Sequence, residues 1–461
     1  MTQLMDPQSP GASTLRRLQK QEAAAAVPGW LADLRRDGMA RFDAVGFPTT
    51  KQEEWRFTNV APIAKTDFRL AVPEDDGGAA DAVDRHTFGK AAAAELVFVN
   101  GQYRPDLSTP GKLPPGATLL GLAEAVERHP DVVRAHLGQH AAIDANPFVA
   151  LNAGFLRDGA YLHVRRTVTV EGPIHLLFVS TGAADGAVPV VSHPRVLVVA
   201  EANSELTLVQ SFVGTPGPHW SNPVTEVYAA PDARVDHYKL QHDASDAFHV
   251  STLQVKLERN ASFVSHSATV GGRLTRNDLN VVLAGEAAAA TLNGLVILKG
   301  TDLCDNHTLL DHAAPNCPSH ELFKHVLDGK STGVFKGKIL VRQIAQKTDS
   351  KQTSKALLLA DGATIESMPS LEIYADDVKC THGSTTGPVD EDQVFYLRSR
   401  GISREAARHL LTYAFAADVT RRIRVAPVRE RLESFLAAQH GLPRDLRITD
   451  LGGHNEGVVN L

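Results

Sequence analysis

The run Asp376-Asp-Val-Lys-Cys-Thr-His alternates like a β-strand, which places Val378, Cys380 and His382 on one face and Asp377, Lys379 and Thr381 on the other. A thiol and an imidazole two residues apart on one face suit iron binding or sulfur handling, because sulfur and nitrogen donors both match iron and zinc. Two ligands do not close a site, so the rest would come from another strand or another subunit. The same spacing also fits a strand in which Cys380 is a small buried filler beside Val378.

A second set, Cys304-Asp-Asn-His307, His312 and Cys317-Pro-Ser-His320, has the look of zinc spacing. On successive strands and corners such residues point in different directions, and Asp305, Asp311 and Asn316 serve turns equally well. The expectation is a histidine-lined polar surface rather than a structural metal. Gly329-Lys-Ser suggests a phosphate loop, but that motif needs a glycine five positions before its second glycine, where this chain has Lys324. ATP hydrolysis by this chain is not expected. His-Glu-x-x-His is missing, so that metalloprotease signature is absent.

The elements that must position these residues follow from composition and pattern. The 461 residues exceed one ordinary compact core, so either several domains or an elongated repeat stack is expected. Hydrophobic residues at 43% and charged residues at 22% are globular proportions, and no run of about 18 apolar residues offers a membrane span. The opening residues lack a basic segment followed by an apolar stretch, and Cys304, Cys317 and Cys380 are too few and too scattered for a disulfide framework. A cytoplasmic location is expected. A net charge of −6 without a dominant Lys/Arg cluster argues against nucleic-acid binding. The twenty histidines, many of them between 219 and 325, hint at soft-metal or proton chemistry.

Residues 1–94 read as a helical amino-terminal region. Leu15, Leu18 and 21–26 form one segment, Pro28 interrupts it, and Trp30, Leu31, Leu34 and Phe42 resume at helical spacing. The Asp/Gly/Ala-rich 74–94 stretch has no clear period and reads as a linker or irregular surface. Residues 95–395 carry short β-rich runs such as Leu96-Val-Phe-Val, Arg195-Val-Leu-Val-Val and Leu279-Asn-Val-Val-Leu, with a helical pattern only over 121–137. A polar turn residue followed by a small one recurs before these strands. Aligning Ser204, Ala233, Ala261 and Ala289 gives a period of about 28 residues. A β-solenoid, a pair of sandwiches and a propeller all accommodate such strands. The period and the missing Trp-Asp repeats favour a mainly β chain with a right-handed parallel β-helix core flanked by helical ends. Residues 396–461 turn helical. Ser403 can cap a helix whose apolar stripe runs through Ala407, Leu410, Leu411, Ala414, Phe415, Val419 and Ile423, and a second helix stops at Gly441-Leu-Pro. That stripe must be buried either on the stack or on a partner.

The stretch Leu371-Glu-Ile-Tyr-Ala-Asp-Asp-Val-Lys-Cys-Thr-His-Gly-Ser-Thr-Thr-Gly, continued by Asp390-Glu-Asp-Gln-Val-Phe-Tyr-Leu-Arg-Ser-Arg-Gly-Ile-Ser, resembles the signature of the SufB/SufD family. Asp311-His-Ala-Ala-Pro-Asn-Cys, Val326-Leu-Asp-Gly-Lys-Ser-Thr-Gly-Val-Phe-Lys-Gly-Lys-Ile and Lys51-Gln-Glu-Glu-Trp-Arg-Phe-Thr resemble it too. The wording Val-Lys-Cys-Thr-His-Gly is similar to the SufD side of the family, as is the lack of a cysteine at Asp361-Gly-Ala-Thr. The resemblance implies a non-catalytic scaffold subunit for iron–sulfur cluster assembly, acting with a SufB-like paralogue and a SufC-like ABC ATPase that hydrolyses the ATP. It implies His382 as the metal and cluster ligand at the SufB interface, with Cys380 a weaker neighbour. The cluster would be transient and shared with SufB, with no cofactor bound stably by this chain alone. The 403–423 helix, through Leu410, Leu411, Ala414, Phe415 and Val419, becomes the expected SufC-docking element. A β-helix enzyme acting on polysaccharide is the main rival, and a homodimeric structural protein is the third reading.

Overall fold

Short strands with alternating residues leave their hydrogen-bonding edges to be matched, and here every second strand supplies the match. In this computed structural model, which describes residues 10–22, 27–72 and 75–439, Arg234–His242 pairs in parallel with Glu205–Gly214 on one side and Ser262–Val270 on the other. Phe248–Leu257 lies in the same way between Val224–Ala229 and Leu274–Leu283, in a second sheet. Consecutive strands thus alternate between a 13-stranded and a 10-stranded sheet, and each coil gives one strand to each. This is the expected parallel β-helix with helices at both ends.

The recurrent turn signal has a backbone cause. Asn203, Asp232, Asn260, Ala287, Asn316 and Lys347 occupy one corner of successive coils and all adopt the left-handed conformation, with φ between 57° and 64°. Asn and Asp tolerate that conformation better than other side chains. Each of these residues donates its backbone N–H to a carbonyl of the following coil, for example Asp232 to Arg259 at 2.9 Å and Asn316 to Gln346 at 2.9 Å. At the last corner the direction reverses: the Asp377 N–H bonds back to Oε1 of Gln346 at 2.9 Å. The next residue in each turn is small and buried: Ser204, Ala233, Ala261, Ala288, Cys317 and Thr348. The fourth repeat position is therefore Ala288 and not Ala289, because Ala289 pairs with Ser262, one place further along the strand.

Ala287 holds the left-handed corner without a polar side chain. Replacing it with Gly removes the clash between its Cβ and the backbone, and the expected gain is about 1 kcal/mol after the added chain entropy. The urea midpoint should rise with an unchanged slope; a fall would contradict the corner geometry.

Rows of like residues fill the interior. Val198, Val227, Val255, Val281, Leu310 and Ile339 stack in register through one sheet, all fully buried. Phe98, Phe178 and Phe212 stack at 4.8 Å through the other. Each such side chain contributes roughly 1.5–3 kcal/mol by leaving water.

The motif around Trp55 clamps the amino-terminal segment to the outside of the barrel. Arg276, buried on the sheet, sits 4.3 Å from the Trp55 ring centre and donates to the Glu54 carbonyl at 2.8 Å. Its other donors hold Asp278 and Asp305.

Three sequence expectations need correction. The 74–94 stretch is not irregular throughout: Ala79–His86 is a helix, and Ala79, Ala82 and Val83 pack against Val97, Leu177 and Val179 on the sheet. The helix Pro147–Gly154 had no detectable period because it is buried on every side, although Asn146 as a cap followed by proline marks its start. The helical tail begins at Glu391, capped by Asp390, inside the stretch assigned to the β core. The amino-terminal helix Pro10–Glu22 and the helix Gly29–Val45 flank Pro28 as expected. Residues 23–26 and the Gly441-Leu-Pro stop lie outside the described residues. No helix among the described residues is long and apolar enough to cross a membrane.

Candidate functional site

Lys379–Pro388, the strand bearing Cys380 and His382, pairs with Asp349–Leu358 on one side only. In the other sheet Thr364–Ser367 and Ser370–Ile373 pair only with Thr332–Val341. The solenoid therefore ends with both sheets open, and the two last strands touch through the hydroxyls of Ser384 and Ser367 at 3.0 Å.

Register defines which way the two candidate ligands face. Cys380 lies opposite Ser350 and His382 opposite Gln352. Ser350, Gln352 and Ser354 are buried and point into the solenoid. Parallel neighbours share a face, so Cys380 and His382 sit together on the inward-facing rows at the open mouth. His382 is exposed; Cys380 is half-buried and packs against the interior cluster. Burial pushes the Cys380 thiol above its usual pKa, against a lowering hydrogen bond from the Ser350 backbone. Metal binds the thiolate, so burial makes the required loss of the proton harder than for an ordinary thiol.

Polar residues continue both rows below the mouth. Beneath Cys380, the Ser350 hydroxyl meets Ser319 at 2.7 Å, and Ser319 meets Nε2 of His312 at 3.0 Å. Beneath His382, Gln352 donates from Nε2 to Oε2 of Glu321 at 2.6 Å. Burial raises the Glu321 carboxyl to about 7, opposed by its hydrogen bonds from Gln352 and Thr308. Sequence reading missed Glu321 and Gln352. They become visible only once the coil offset is known, since Glu321, Gln352 and His382 are successive register partners.

The zinc-spaced set does not converge. Cys304 points inward beside Asn306, and burial raises its thiol to about 12. Cys317 fills a corner, His307 joins Asp305 and Glu54 outside the sheet, His312 is interior, and His320 is exposed. No three His, Cys, Asp or Glu side chains among the described residues are grouped to hold a metal ion. Nor do the histidines line a surface: His219, His237, His249, His312 and His325 are buried within the coils. Several join an interior polar network around Lys239, whose ammonium donates to Ser251 and Asn277, each at 2.6 Å. Burial lowers the Lys239 amine to about 7.

The helix Arg404–Thr420, capped by Ser403, lies on the outer face of the 10-stranded sheet. Val419 is buried there with Leu295, Ile297 and Val326, and Phe415 packs beside them with Lys324 4.4 Å from its ring centre. Leu411 packs with Val389, Val394 and Ala407. Most of the stripe expected to dock a partner is therefore covered within the chain. Ala414 is exposed and Leu410 half-buried. Ile373, Tyr374, Phe395 and Tyr396 are exposed on the last coil and the helix that follows it.

Two family models match the chain. The SufBD core domain of the SUF system for iron–sulfur cluster assembly matches residues 179–415, and the SufBD protein N-terminal region matches 14–176. An iron–sulfur cluster assembly SufBD family protein of Synechocystis is 31% identical over 92% of this chain and 95% of its own length. The iron–sulfur cluster assembly protein SufD of Escherichia coli is 31% identical over 84% of this chain and 88% of its own length. SufD of Bacillus subtilis is 26% identical over 89% and 94% respectively.

Proposed function

Because the chain belongs to the SufBD family of iron–sulfur cluster assembly proteins, we propose that it is a non-catalytic scaffold subunit that lends His382 to a nascent cluster at an interface with a SufB-like paralogue. The observation that carries this reading is the open end of the solenoid, where two unpaired strand edges and an exposed imidazole share one mouth. Unpaired edges are templates for another chain, and the exposed Ile373, Tyr374, Phe395 and Tyr396 add apolar surface beside them. A paralogue with the same architecture has matching edges to offer. Its donors would complete a ligand set that Cys380 and His382 leave unfinished, and the cluster passes on as cargo.

The carboxy-terminal helices are the proposed docking element for a SufC-like ABC ATPase. With Val419 and Phe415 held against the sheet, contact would fall on the outward face that bears Ala414 and Leu410. A helix braced on the 10-stranded sheet can pass a push from the ATPase to the coils.

Coexpression of the full chain with a SufB-like and a SufC-like protein tests both parts. All three should copurify, and anaerobic iron and sulfide should give visible iron–sulfur absorbance. Ala414→Arg should reduce recovery of the ATPase at least tenfold while the paralogue is retained. A chain that purifies only with itself, or an assembly that builds clusters without it, overturns the reading.

A further inference from the structure

We propose that Gln352, held by Glu321, is a positioning residue that orients the His382 imidazole by accepting its ring N–H. This rests on the reading of His382 as a ligand, and it adds two residues that no other feature of the site explains. Gln352 lies directly beneath His382 in the parallel register, one strand spacing of about 4.8 Å away. It is 2% exposed and spends its amide N–H on Glu321. The amide nitrogen faces Oε2 of Glu321, which turns the amide oxygen the other way. That oxygen, Oε1, is buried and has no partner. A buried amide oxygen without a donor costs about 1–3 kcal/mol.

The opposite wall is shaped for this amide. A Cβ on Gly337 would come within 2.2 Å of Gln352 Nε2 and 2.8 Å of the Phe335 ring. Only glycine leaves the amide its seat. The Gln352 oxygen receives no hydrogen bond among the described residues, and the next side chain in its row toward the mouth is His382. The His382 ring makes no hydrogen bond among the described residues, so either ring nitrogen is free to be the one that donates. Fixing one tautomer leaves the other nitrogen's lone pair ready for metal, and loss of such a partner generally lowers metal affinity or activity by about 10- to 100-fold.

The test uses the full chain with nitrogen-15-labelled histidine, the His382 ring signals being assigned by their loss in His382→Ala. Wild type should show one dominant tautomer at His382. Gln352→Met, which keeps volume but removes the acceptor, should give a mixture, and Gly337→Ala should do the same by displacing the amide. Thermal unfolding and the signals of the other histidines control for general damage. In the partner complex, Gln352→Met should slow cluster formation by about 10- to 100-fold. Unchanged His382 ring signals in Gln352→Met overturn the proposal, whatever the assembly rate. Altered ring signals with a normal assembly rate support the positioning role and sink the ligand role instead.

Discussion

His382→Ala should leave the chain folded and its complex intact, and abolish cluster formation. The side chain is exposed on a strand paired on one side only, so its removal empties no core and should alter stability by no more than about 0.5 kcal/mol. Its loss removes one of two donors at the mouth, and the other is a thiol whose pKa burial raises. Cluster formation should fall at least a hundredfold, read as visible absorbance after anaerobic incubation with iron and sulfide. Cys380→Ala should cost far less. A His382→Ala complex that assembles clusters at the normal rate would remove the imidazole from the mechanism.

Arg195→Met should be the most damaging single change to the fold. Arg195 and Glu226 are both fully buried and meet through Nε and Nη2 of the arginine at 3.0 and 2.5 Å. Glu226 also accepts the backbone N–H groups of Gly138, His140 and Ala141, and Arg195 also donates to Asn152. The pair thus ties the loop after the 130–136 helix to the sheet. Taking away one partner leaves the other charged and unpaired, at a cost of about 3–5 kcal/mol. The pH dependence has a definite sign. Burial alone would raise the Glu226 carboxyl, but Arg195 and the backbone donors outweigh it and hold the pKa below the usual value. In the wild type this stabilisation is present above the unfolded carboxylate pKa and is lost as pH falls through the folded one. In Arg195→Met the unpaired carboxyl takes up a proton more readily, so the deficit should shrink as pH falls. Urea midpoints at about pH 7 and about pH 5 would show it. A deficit that stays constant across that range would mean that Glu226 is not the group left uncompensated.

Much of the architecture was legible because a β-helix writes its period into its corners. The Asn, Asp and small residues before each strand reflect a left-handed turn that few side chains tolerate, and Ala287 and Lys347 are where that signal fades. The one-residue error at Ala289 came from a coil shorter than its neighbours, which no single-sequence pattern reveals. Alternation placed Cys380 and His382 on one face. It could not tell inside from outside, so His307, His312 and His320 were expected on one polar surface although His312 is interior. Tertiary burial hid the Pro147–Gly154 helix in the same way, since a helix covered on all sides has no polar stripe. The carboxy-terminal stripe was legible only in part: Ala407, Val419 and Ile423 are buried but Ala414 is exposed, and Tyr413, Ala416 and Ala417 complete the face against the chain's own sheet. Gln352 and Glu321 lie one and two coils from His382 in sequence, and only the register connects them.

The backbone N–H groups of the left-handed corner residues all donate in one direction along the solenoid. Each left-handed residue gives its N–H to the coil that follows, and the sequence of donations ends at Asp377, which turns back to Gln346. An interior coil is therefore gripped from both sides, whereas the last is gripped from one. Local opening should be cheapest there and rise in cost toward the middle of the stack. The strand that carries His382 is thus the part of the scaffold best able to yield to an incoming partner, while the coils beneath it keep their shape.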